Sequence, residues 1–146
     1  MKGYSTQQPE NAVPHNGGWQ YRFNIAQVTR TDDEGVEYIE WEYDYINSAN
    51  HPSTRAAYEE IVTALIQNEV DKYNKANDVL FRDVHSCKSY ADMTGYEHQA
   101  FCLGVFTWNL DVWQAVRQIL ADVKAGTRQA PTIGEFLTEL PVFVQE

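Results

Sequence analysis

Basic residues are scarce in this 146-residue chain. Lys and Arg number 11 against 21 Asp and Glu, for a net charge of −10. That balance argues against nucleic acid or an anionic membrane as the main partner, because both are bound through basic patches. Cysteine is scarcer still. Cys87 and Cys102 are too few for a disulfide framework, and a reducing, cytosolic origin is expected. No apolar run approaches the length of a membrane span. The N-terminus has Lys2 but lacks the apolar segment of a secretory signal.

Motifs of site chemistry are missing too. Asn16-Gly17-Gly18 leads into a predicted strand rather than a helix, so it is not a phosphate loop. Asp32-Asp33-Glu34-Gly35 is too short for a calcium loop. Asp83, His85, Cys87 and His98 are metal-capable types, but none has the paired spacing of a zinc site. No local signature marks a Cys-His nucleophile. Cys102, inside Ala100-Phe101-Cys102-Leu103, reads as a small buried hydrophobe. The expectation is therefore a protein with no catalytic, cofactor-binding or metal-binding residues, and not an enzyme.

What the chain does have is aromatic residues in period two. In Val36–Ile46, Ile39, Trp41, Tyr43 and Tyr45 alternate with Glu40, Glu42 and Asp44. In the run 19–25, Trp19, Tyr21, Phe23 and Ile25 alternate with Gln20, Arg22 and Asn24. This is the pattern of strands buried on one face. A three-residue loop Asp33-Glu34-Gly35, with Gly35 left-handed, predicts a hairpin in which paired numbers sum to 68. Ile25 then opposes Tyr43, and Phe23 opposes Tyr45. A slip that set Phe23 against Asp44 would break the aromatic face. Glu40, Glu42 and Asp44 are expected to face water or a basic neighbour.

Residues 1–18 carry Pro9, Pro14, Gly17 and Gly18 with few large apolar side chains. They read as an extended arm, anchored only by Tyr4 and Val13. After the turn-rich 47–53 comes a helix over 54–73, with Ser53 as N-cap and Tyr58, Ile61, Val62, Leu65, Val70 and Tyr73 on one stripe. Asn74–Asn77 breaks it. The stretch 78–84 reads as a short helix or an edge strand, and 85–90 as loop. The main helical mass spans 92–125. It is apolar nearly all round from Phe101 to Trp113, which predicts a central, well-buried place. Asp111 and Gln114 have capping-box spacing, so a break near Asn109 is one outcome. Gly126 is the natural stop. Thr132 and Glu135 open a short helix that ends before Pro141. Val142, Phe143 and Val144 form an apolar tail.

The expected fold class is thus α+β: an antiparallel hairpin of two, possibly three, strands covered by three to four helices. The expected organisation is an arm over 1–18, one domain over 19–140 and a tail over 141–146. The segment Tyr58-Glu59-Glu60-Ile61-Val62-Thr63-Ala64-Leu65-Ile66, preceded by a tyrosine-rich hairpin, resembles small proteins of phages and prophages of Bacteroides-like bacteria. The likeness continues through an Asp-containing turn, Lys72 to Val84, and through Glu97-His98-Gln99-Ala100-Phe101. It implies a virion component of tail or neck, or else a non-virion assembly chaperone, with no catalytic residues to carry over. A small metal- or ligand-binding enzyme using His85, Cys87 and His98 is a third expectation. Partners implied are other phage structural proteins or copies of the chain itself, in the virion or in the host cytoplasm during assembly. The candidate partner-binding residues are Tyr4, Val13, Glu40, Glu42, Asp44, Val142, Phe143 and Val144.

Overall fold

Alternating aromatic and polar residues build the first half of the molecule. The computed structural model describes residues 1–145, so the last residue of the expected tail, Glu146, lies outside the described residues. Two compact units divide at the second turn of a helix, Met1–Ile61 and Val62–Glu146. The first holds strands β1 (Lys2–Ser5), β2 (Ala12–His15), β3 (Gly18–Thr31) and β4 (Glu37–Ser48). They form one antiparallel sheet in the order β1-β4-β3-β2. The chain is α+β, with more strands than the expected hairpin.

The additional strands come from the stretch read as an arm. β1 pairs with β4, Lys2 opposite Asp44 and Ser5 opposite Trp41. β2 pairs with β3 through a tight Asn16-Gly17 turn, both residues at positive φ, 47° and 78°. Asn-Gly is the residue pair that a type I′ hairpin requires. Pro14 is tolerated because β2 is an edge strand. β1 and β2 lie on opposite edges, so the link 6–11 has to cross a face of the sheet; Pro9 within it is buried. Asn11 closes the crossing by bonding Arg22 through its backbone carbonyl at 2.8 Å and its side-chain amide at 2.9 Å. Residues 1–18 are therefore part of the sheet.

The β3–β4 turn forms as its sequence dictates. Gly35 has φ 80°, and Asp32 exchanges backbone bonds with Val36 and Gly35. The Asp32 carboxylate accepts from the Glu34 and Val36 amides, each at 2.9 Å. From Thr31↔Glu37 to Ala26↔Glu42 paired numbers sum to 68, as expected. Beyond that the expected register fails. A bulge between Phe23 and Ala26 sets Phe23 opposite Asp44 and Tyr21 opposite Ile46. Asn24 makes the bulge by taking φ 51°, and its amide donates to the Asp44 carboxylate at 2.9 Å. The consequence is that Tyr21 and Phe23 change faces: they share one with Asp44, away from Tyr43 and Tyr45. Tyr21, Phe23 and Tyr43 are all buried. The Tyr21 hydroxyl donates to the Asn50 carbonyl just before the first helix, and burial raises its pKa. Arg22, on the other face, lies 4.9 Å over the Tyr43 ring.

Helix α1 (Arg55–Asn77) begins in the first unit and ends in the second. Thr54, not Ser53, takes the cap position: its hydroxyl accepts from the Ala57 amide at 3.3 Å. The expected break at 74–77 is overrun by one turn. Asp78 at φ 53° stops the helix, and the Asn74 side chain bonds both backbone groups of Phe81. The stretch 79–83 is neither helix nor strand. Helix α2 (Val84–Ala91) stands where a loop was expected, started by a capping box between Asp83 and Ser86. Helix α3 (Gln99–Ala125) runs without a break at Asn109 and stops at Gly126, φ 76°. Helix α4 (Ile133–Glu139) opens on the Thr132–Glu135 capping box. In this unit Tyr73 stacks on Phe101 at 3.6 Å between ring centres, and Phe143 packs on Phe101 and Trp108.

Candidate functional site

The residues singled out from sequence fall into three groups. Glu40, Glu42 and Asp44 line one face of β4, but their basic neighbours are in the same sheet. Arg30 of β3 pairs with Glu40, and Lys2 of β1 reaches Asp44 at 3.1 Å and Glu42 at 3.6 Å. Asp44 is only 4% exposed. Burial works against the Lys2 ammonium, but the carboxylates outweigh it and its pKa rises. The hydrogen bond that the Arg30 guanidinium donates to Glu40 raises the pKa of Arg30. The acidic face is thus neutralised internally and is not the open surface its sequence suggests. Tyr4 lies beside it, half exposed, with the Arg30 guanidinium 4.9 Å over its ring. Val13 sits half-buried in the edge strand β2.

The second group is the C-terminal tail, which splits. Phe143 is held in the second unit, and the Trp108 indole donates to the Pro141 carbonyl at 2.8 Å, pinning the segment against α3. Val142 and Val144 point outward, 83% and 73% exposed.

The third group is His85, Cys87 and His98. His98 is taken up by aromatic rings: its Nδ1 lies 2.7 Å from the Tyr73 hydroxyl, and Tyr73, Phe81 and Tyr96 meet its ring edge to face. The Cys87 thiol is fully buried and hydrogen-bonded to Cys102, and burial pushes its pKa up to about 12. A thiol so protonated is a poor nucleophile. His85 is exposed on α2. Among the described residues, no group of three or more His, Cys, Asp and Glu side chains is placed to hold a metal ion. An open hollow of about 350 Å³ lies between the β2–β3 turn and the end of β4, lined by His15–Trp19 and Asn47–Ala49. Its walls are largely backbone and amide groups, with Trp19 the one large ring.

Sequence reasoning missed two surfaces that carry exposed apolar side chains. One is the outer face of α3. Leu103, Phe106, Leu110 and Trp113 recur at spacings of three and four, opposite the buried stripe Phe101, Val105, Trp108 and Val112. Leu103 and Leu110 are each 52% exposed, so the expected all-round burial of this segment does not occur. The all-round apolar run was the signal; it records two separate stripes, of which the chain buries one and covers the other in part, with Phe106 and Trp113 half-buried. The second surface is the far end of the hairpin, where β3 and β4 extend past β1 and β2 as a two-stranded ribbon. It carries exposed Val36, Tyr38 and Ile39. No helix among the described residues is long and apolar enough to cross a membrane. Searches against protein-family models, curated proteins and solved structures find no match for the chain.

Proposed function

We propose that this protein is a non-enzymatic structural or accessory component of a bacteriophage particle, in the tail or neck region, that works through contacts with other subunits. The observation that carries the contact reading is the second apolar stripe of α3. Leu103, Phe106, Leu110 and Trp113 repeat at the spacing with which one helix packs against another. Apolar side chains in that arrangement gain from burial against a partner helix in a neighbouring subunit. The phage setting rests on the resemblance of Tyr58–Ile66 and Glu97–Phe101 to small phage and prophage proteins. Arg30 and Lys2 already occupy Glu40, Glu42 and Asp44, so the contact reading shifts from that acidic face to α3.

The test is incorporation. Leu103→Ser with Leu110→Ser changes two exposed side chains and should leave the fold intact. Mass spectrometry of purified particles should find the wild-type chain, and the double variant should be depleted with unchanged circular dichroism. Equal incorporation of both would refute the α3 contact. A chain made during infection but absent from particles would instead favour the non-virion assembly chaperone. Removal of residues 1–17 would not probe docking cleanly, because it deletes β1 and β2 from the sheet.

A further inference from the structure

The outer edge of β3 is left unpaired over a long run. β2 covers β3 only from Gly18 to Tyr21, with Asn11 adding Arg22. Among the described residues no strand lies beside β3 beyond that point. Which backbone groups face outward follows from the ladder. Asp32 donates to Val36, so Asp32 and every second residue before it, down to Ala26, point their amides and carbonyls at β4. Gln27, Thr29 and Thr31 therefore point theirs away from the sheet. The same parity on β4 turns Tyr45 outward toward β1, and the Tyr45 amide does bond the Met1 carbonyl at 2.9 Å.

Edge strands of this length are usually blunted by proline, lysine, a bulge or an inward charge. The run Ala26-Gln27-Val28-Thr29-Arg30-Thr31 has no proline or lysine: the bulge at Asn24 and Ile25 lies before it, and the one charge, Arg30, is paired with Glu40. It also has the β-branched content and low net charge of a strand that pairs readily.

We infer that this edge pairs antiparallel with the same edge of a second copy of the chain, around a two-fold axis at Val28. The inference deepens the contact reading above by naming one partner. Outward residues must oppose outward residues, and a two-fold requires the pairing to be its own mirror in sequence. Centring on Val28 meets both conditions. Gln27 opposes Thr29 on both sides of the axis, giving about four backbone hydrogen bonds. Val28 opposes Val28, and Ala26 opposes Arg30, so the two arginines stay apart. The two sheets become one continuous sheet through their β3 strands.

Two variants of the full chain test this. Val28→Cys sits at a non-hydrogen-bonded pair on the two-fold, where the Cα separation suits a disulfide. Under mild oxidation it should form a dimer, and peptide mass should locate the disulfide between the two introduced thiols. Ile39→Cys, on the opposite edge of the same ribbon, should link far more slowly. Gln27→Pro removes an outward amide that the β3–β4 ladder does not use. It should weaken the dimer about tenfold or more in sedimentation equilibrium, with the circular dichroism of the wild type. A wild-type chain that sediments as a 16.8 kDa monomer, or Ile39→Cys linking as fast as Val28→Cys, overturns the pairing. That result leaves the α3 contact standing, while equal particle incorporation of the Leu103/Leu110 variant leaves the β3 pairing standing.

Discussion

Replacing Asn24 separately by glycine and by alanine divides its contribution into two parts. The side chain donates to the Asp44 carboxylate at 2.9 Å, and the backbone sits at φ 51°. Asn24→Gly loses the hydrogen bond but keeps a residue at ease in the left-handed region. Asn24 is itself exposed, so the loss falls at the low end for a bond to a charged acceptor, about 1.5 kcal/mol. Asn24→Ala loses the same bond and adds the left-handed penalty of a Cβ, about 1–2 kcal/mol. Glycine's greater freedom in the unfolded chain returns part of that difference, about 0.5–1 kcal/mol. The alanine variant should therefore be no more stable than the glycine variant, and less stable by up to about 1.5 kcal/mol. Urea unfolding gives the ranking, and amide exchange of β3 and β4 peptides shows that the change lies in the sheet. Alanine more stable than glycine would refute the left-handed bulge, and with it the change of face that carries Tyr21 and Phe23 away from Tyr43.

The cap of α2 should make stability depend on acid. The Ser86 amide, and then Arg82, hold the Asp83 carboxyl below its usual range. A depressed folded pKa contributes stability that is full above the unfolded value of about 3.9 and is lost as pH falls through the folded value. Asp83→Ala should cost about 1 kcal/mol at neutral pH. Asp83→Asn should keep the cap and lose this acid dependence, and melting curves from neutral to strongly acid pH separate the two. The thiols give a third test. Cys87 and Cys102 are fully buried, and burial raises both pKa values, so neither should react with a disulfide reagent at mildly alkaline pH until urea is added. Rapid reaction of the native chain would show that α2 opens in solution.

Local chemistry was legible wherever a residue's own neighbours in sequence settle its conformation. Gly35, Gly126 and the Thr132–Glu135 box form as read. Two equally local signals went unread, Asn16-Gly17 and Asp83-x-x-Ser86, because proline in one flank and a polar run in the other hid the hairpin and the helix they start. The candidate contact residues were legible only as types. That Glu40, Glu42 and Asp44 are neutralised depends on Lys2, some forty residues distant in sequence, joining as an edge strand. The free edge of β3 is equally invisible in sequence, since it exists only because β2 covers β3 no further than Tyr21.

The amino-acid sequence alone determines the α+β class, the β3–β4 hairpin turn, the stop of α3 at Gly126 and the net negative charge. Periodicity and turn chemistry act over a few residues, so they are written in the order of the chain. Tertiary structure decides the rest: that residues 1–18 complete the sheet, that Asn24 moves Tyr21 and Phe23 to the other face, and that one of the two apolar stripes of α3 is left outside. Those outcomes turn on which distant segment arrives to satisfy a backbone edge, a carboxylate or an apolar face, and no local pattern encodes that arrival.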